Sequence, residues 1–194
     1  MPNSNAQNVP VDSLGHSLAD AARLLAEKKL PPVDRWQPAN CGDSHMRIAA
    51  DGTWFHEGRP IPRPAMVRLF STILRREPDG RHVLVTPVEK LDIEVEDAPF
   101  VAIEATSEGA GRGRRIGFRL NTDDDVIAGA QNPLRIETAP DGTPRPYVQV
   151  RNGLEALIVR AVFYELAELA LAEGGDEVGL WSDGAFFAFG ASAA

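Results

Sequence analysis

Residues 46–61 read MRIAADGTWFHEGRPI, and part of that pattern returns at residues 134–142 as LRIETAPDG. In both, an apolar residue and Arg-Ile lead through small residues to Asp-Gly. Alternating residues that end in Asp-Gly describe a strand entering a hairpin turn, because glycine takes the positive φ such turns demand. After the first copy, TWFHEGRPI reads as the return strand. Pro62 and Pro64 set a helix start, and Met66, Val67, Phe70, Ile73 and Leu74 share one helical face. Pro78-Asp79-Gly80 is a turn, and HVLVTP and LDIEVED follow as strands. The order is β-β-α-β-β.

The second copy continues in the same way. YVQVRNG is a strand ending in Asn152-Gly153, and LEALIVRAVFYELAELALAE reads as one long helix with Leu157, Val162 and Leu166 in the core. Gly174-Gly175 end it, and EVGLWSD and AFFAFG are strands joined at Asp183-Gly184. Asp-Gly is the commonest hairpin signal and recurs by chance. The matching element order nevertheless points to a duplicated β-β-α-β-β unit, with residues 46–97 superposing on 134–190. Between the copies, residues 100–120 read as a hairpin with the tip EGAGRG, and NTDDDVIAGAQNP as the crossing. Ahead of them, a polar tail gives way at Asp12 to a helix striped by Leu14, Leu18, Ala21 and Leu25 and stopped by Pro31-Pro32. The expected class is α+β: a tail and helix over 1–30, a first lobe over 31–99 and a second over 100–194.

The chain has 194 residues, enough to bury a sizeable core, with 43% hydrophobic and 25% charged residues. Twenty Lys and Arg against 28 Asp and Glu leave a net charge of −8. That balance opposes non-specific binding to nucleic acid polymers or acidic membranes. No apolar run approaches the roughly 20 residues of a spanning helix, and the first residues lack the pattern of a secretory signal. A cytoplasmic protein without membrane insertion is expected. Cys41 is the only cysteine, which excludes a disulfide framework.

Several stretches carry a resemblance: CGDSHMRI, DGTWFHEG, RPAMVRLFSTILRR, LVTPVEKLDIEVEDAPF and NPLRI. From about Pro31 to the C-terminus the sequence resembles the bacterial family called domain of unknown function 1285. The resemblance implies an α+β fold of two similar lobes, the C-terminal one superficially like a pleckstrin-homology fold. It further implies a ligand site in the groove between lobes, for a nucleotide-like molecule in signalling. No activity is established for the family, so it transfers no catalytic residue.

Known chemical motifs are scarce. Gly109, Gly111 and Gly113 do not form G-x-G-x-x-G, and no helix follows to meet a pyrophosphate. The chain contains no GxxxxGK[ST], HExxH or GxSxG. Cys41, Asp43, His45 and His56 are mixed donors at tight spacing without a second cluster, so no metal and no cofactor are expected. Trp54, Phe55, Trp181 and Phe187 read as packing residues.

The arginines are more informative. Arg47 in the first hairpin, with Arg63 and Arg68 at the first helix, would form an anion pocket if drawn together, since the guanidinium fork matches carboxylate and phosphate. The competing reading pairs them with Glu94, Glu96 and Asp97. Thr86, Glu89 and Lys90 lie on a proline-broken bend and complete the candidate ligand-binding set, with a surface Glu–Lys pair as the alternative. The leading expectation is a ligand-binding or signalling module that takes a small anion between two lobes. The alternatives are an enzyme using Asp43, Glu89 or Asp97 as acid or base, and a protein-interaction module.

Overall fold

The computed structural model describes Arg23, residues 29–174 and residues 177–190. The tail and most of the expected N-terminal helix therefore lie outside the described residues. The protein is α+β, with a duplicated sheet. The first sheet comprises β1 (Asn40–Ile48), β2 (Trp54–His56), β3 (Arg59–Pro60), β4 (Leu74–Arg76), β5 (His82–Val85) and β6 (Glu89–Val95), in the order 3-2-1-6-5-4. The second comprises β7 (Phe100–Glu108), β8 (Arg115–Leu120), β9 (Asp125–Ile127), β10 (Leu134–Thr138), β11 (Pro144–Arg151) and β12 (Leu154–Ile158), in the order 10-11-12-7-8-9. Read from the other edge, that is the same topology: two three-stranded meanders joined by their first and last strands. The junction is parallel in both, with β7 beside β12. In the first sheet Asn40 Nδ2 donates to Val88 O and Ser44 Oγ to Asp92 O, a constant offset of 48 residues.

Helix α1 (Pro64–Thr72) lies between β3 and β4, whereas α2 (Arg160–Glu173) follows β12. A hairpin, β13 (Gly179–Ser182) with β14 (Ala185–Ala188), forms a separate two-stranded sheet. The β-β-α-β-β order therefore occurs in both halves, but the repeating body is the six-stranded sheet, and the repeat is offset. The turn equivalent to Pro140-Asp141-Gly142, between β10 and β11, is Pro78-Asp79-Gly80, between β4 and β5, and not Asp51-Gly52. These three Asp-Gly turns close alike. The aspartate accepts from the N–H two residues on, and the glycine N–H donates to the carbonyl three residues back. Turn chemistry is local and cannot say which turns are equivalent.

Three elements are corrected: the expected crossing holds strand β9, Leu74 opens β4 and does not share the helix face, and the third lies before α2. Residues 154–158 form strand β12 and not the first turns of a helix. Leu157 is half-buried on that strand, opposite Tyr147, while Val162 and Leu166 are buried on α2. Leu-Glu-Ala-Leu-Ile fits either period, and only pairing with β11 and β7 decides.

The described chain divides into two compact units: residues up to Met46 with His56–Glu94, and Arg47–Phe55 with Val95 onward. The core of the second holds Trp54, Phe100, Phe118, Ile116 and Leu120, all fully buried. There the Tyr147 hydroxyl donates to Asp97 Oδ1 at 2.8 Å, and Arg145 bonds Oδ2 of the same carboxylate. Burial first, then the adjacent Asp97, pushes the Tyr147 phenol up to about 12. A raised phenol favours the folded state fully below its ordinary value of 10.0, and the benefit is lost as pH rises through the folded value. Chemical denaturation between those limits is expected to show stability falling further in the parent than in Tyr147→Phe. Parallel curves would refute the assignment.

Candidate functional site

The first unit contains a cavity of about 610 Å³ between α1 and its sheet. Prolines at 60, 62 and 64 shape one end, because they fix φ and offer no N–H. Arg63 takes the N-cap position with extended backbone, and Pro64 occupies the first turn, where a missing N–H is harmless. Arg63, Met66, Phe70 and Ile73 recur at three- and four-residue spacing, so one stripe of the helix lines the cavity. Leu84, Thr86, Glu89 and Leu91 line the sheet side, with Ser44 and Met46 from β1. Along a strand, alternate side chains share a face. Glu89 and Leu91 therefore line the cavity together, and Lys90 between them does not.

The far end is built on the β5–β6 bend. Ile73 O accepts from Val85 N at 2.9 Å, tying the helix end to β5. Thr86 is buried. Its N–H donates to Glu89 O, and its Oγ1 accepts from Glu89 N at 3.2 Å. The Glu89 carboxylate has no hydrogen-bond or ion-pair partner among the described residues, and burial pushes it above its ordinary value. At the near end stand Arg59 and Arg63, with His56 and Glu57 beside them. Neither arginine is ion-paired among the described residues. Elsewhere arginines are held: Arg75 by Glu77, Arg81 by Asp79 and Asp92, Arg119 by Glu104, and Arg135 by Glu137 and Glu155.

Of the residues singled out from sequence, Arg63, Thr86 and Glu89 meet at this cavity. Arg47 is elsewhere: it bonds Glu96 and lies over the Phe55 ring, 4.4 Å from its centroid. Arg68 is two positions from both Met66 and Phe70, which turns it off the lining stripe. Lys90 Nζ bonds Glu77 at 3.4 Å. Asp43 is exposed and accepts from His45 N, and Asp97 is engaged by Tyr147 and Arg145. Arg59 was missed. Its signal is RPIPRP, in which prolines hold two arginines at fixed spacing. Cys41 is an exposed free thiol. Among the described residues no helix is long and apolar enough to cross a membrane, and no group of three or more His, Cys, Asp or Glu is placed to hold a metal ion.

A doubled sheet, each copy two meanders joined by a parallel pair, with an amphipathic cavity in the first, defines a two-domain α+β protein with a candidate small-molecule site. The family follows from the match. Residues 31–98 match the N-terminal domain of the domain of unknown function DUF1285, and residues 99–189 match its C-terminal domain; the chain belongs to this family. A DUF1285 family protein from Silicibacter pomeroyi DSS-3, known from a crystal structure, is 51% identical; the match covers 88% of this chain and 93% of that one with a TM-score of 0.78. A second, from Shewanella baltica OS155, is 23% identical over 63% of this chain and 90% of that one, with a TM-score of 0.50, a likeness of fold. No curated protein matches.

Proposed function

We propose that this chain is a binding module for a small organic anion and that the first unit's cavity is its site. One observation carries the reading: two arginines with no ion-pair partner among the described residues stand at one end of a cavity whose middle is lined by Met66, Phe70, Leu84 and Leu91. In a chain of net charge −8, unpaired guanidinium groups are the natural seat for an anion. The cavity volume falls within the roughly 300–1,000 Å³ of ordinary ligand sites. The module reads as a sensor because its occupant would bridge α1 and the sheet. An enzyme acting on the same anion is the second reading, favoured by the desolvated Glu89 on the wall. Turnover of a bound compound would establish it.

A thermal-shift screen of carboxylates, phosphate esters and nucleotides tests the proposal. A member of the panel is expected to raise Tm. Arg63→Ala and Arg59→Ala should each weaken that compound roughly tenfold or more, as expected when a charge-assisted contact is lost. Arg47→Ala should bind as the parent does. The proposal fails if no anion shifts Tm, or if both mouth variants retain full affinity.

A further inference from the structure

We infer that the cavity is shaped for an elongated carboxylate whose far end carries a hydrogen-bond donor, with the carboxylate held at Arg59 and Arg63 and the donor at Glu89. This deepens the binding reading above and rests on it. The geometry is set by α1. Arg63 immediately precedes its first residue, and Ile73, immediately after its last, is bonded to the strand that leads to Thr86 and Glu89. Nine helical residues rise about 13 Å, which sets the spacing between Arg63 before the helix and Ile73 after it, and scales the ligand accordingly. Between them the wall is largely apolar, with Met66, Phe70, Leu84 and Leu91 and, from β1, Met46 beside the single hydroxyl of Ser44.

The ends differ in kind. The arginines are exposed donors, suited to an anion that keeps part of its hydration. Glu89 is half-buried, its carboxylate is an acceptor, and the neighbouring hydroxyl of Thr86 is already occupied by backbone groups. A partly buried carboxylate with no partner among the described residues is costly, and a ligand hydroxyl would satisfy it. A second anionic group there would meet like charge. The cavity therefore discriminates by what the far end of the ligand carries. A medium-chain hydroxy acid has the right order: charge, hydrocarbon, donor. A nucleotide carries its charge and its polar rings differently, and its base would lie against the hydrocarbon wall.

Calorimetric titration of the full chain with ω-hydroxydecanoate, decanoate and decanedioate tests this. The parent is expected to bind ω-hydroxydecanoate roughly tenfold more tightly than decanoate, and decanedioate most weakly. In Glu89→Gln the order should change, because the amide can donate to a carboxylate: decanedioate gains and the hydroxyl preference shrinks. In Arg63→Ala all three should weaken together. Equal affinity for decanoate and ω-hydroxydecanoate in the parent overturns the inference while leaving the binding reading in place. So does binding of a nucleotide, dependent on Arg63, by a chain that ignores all three acids. If no anion of any kind binds, the binding reading itself has failed.

Discussion

Replacing Arg75 with methionine is expected to lower the free energy of unfolding by about 3–5 kcal/mol, the loss typical when one member of a buried charged network is removed. Arg75 lies on β4 and is only 6% exposed. Its Nη1 donates to Val33 O and Trp36 O, each at 2.8 Å, and its Nε donates to Glu77 Oε1 at 2.7 Å. Glu77 also accepts from Lys90. One guanidinium therefore fixes the segment before β1 and completes an ionic network in the first unit. Methionine fills much of the volume but takes this donor from two carbonyls and leaves Glu77 with Lys90 as its remaining cation. Lysine should not rescue, since one ammonium cannot span three acceptors in fixed directions. Burial opposes ionisation of Glu77, but bonding and charge from Arg75 and Lys90 outweigh it, so the carboxyl sits below its ordinary 4.5. A depressed carboxyl stabilises the fold above that ordinary value, and the benefit is lost as pH falls through the folded one. Acid unfolding should accordingly lose part of its steepness in the variant. A loss under about 1 kcal/mol, the scale of an ordinary single bond, would show that the network is not a stabilising unit.

Phe100→Ala should cost about 3–5 kcal/mol, as fully buried aromatic truncations do. Phe100 opens β7, is 0% exposed, and sits opposite Ala156 in the parallel ladder. Its ring lies 4.9 Å from the guanidinium carbon of Arg151. Burial holds Arg151 below its ordinary arginine value, and the aromatic face is an attractive surface for that charge. Truncation empties a volume between the two meanders and removes the surface under a partly buried cation. Phe186→Ala, at a side chain 37% exposed, should cost about 1 kcal/mol or less and serves as the comparison. Equal losses at the two positions in denaturant titrations would mean that Phe100 is not at a packed junction.

How far the sequence can be read differs by feature. The turns at Asp51, Asp79, Asp141, Asn152 and Asp183 were legible because each is closed by its own few residues. The sheet order was not, since the parallel contact between first and last strands leaves no local trace. Leu154–Ile158 was ambiguous for the reason already given: five apolar-rich residues fit either period, and the neighbouring strand settles the matter. At the cavity, Arg63, Thr86 and Glu89 were reachable from their setting beside prolines. Lys90 was separable from Glu89 by strand alternation alone, and Arg68 from Met66 by helical spacing. Arg47 was not separable: whether a hairpin arginine meets Glu96 or a ligand depends on the register between β1 and β6. Arg59 was overlooked because a two-residue strand gives no periodic signal.

The joining of first strand to last also fixes the sequence of events on the ribosome. As β1 emerges, its hairpin partner β2 follows within a few residues and covers one flank. The other flank has no partner until the chain is 48 residues longer, when β6 arrives. Until then it is an open edge, and open edges recruit strands from other chains. The contact that closes each sheet spans the longest loop in that sheet, so its closure entropy is the largest. The family architecture thus places its greatest exposure to misassembly early in synthesis, and meets it twice in one polypeptide.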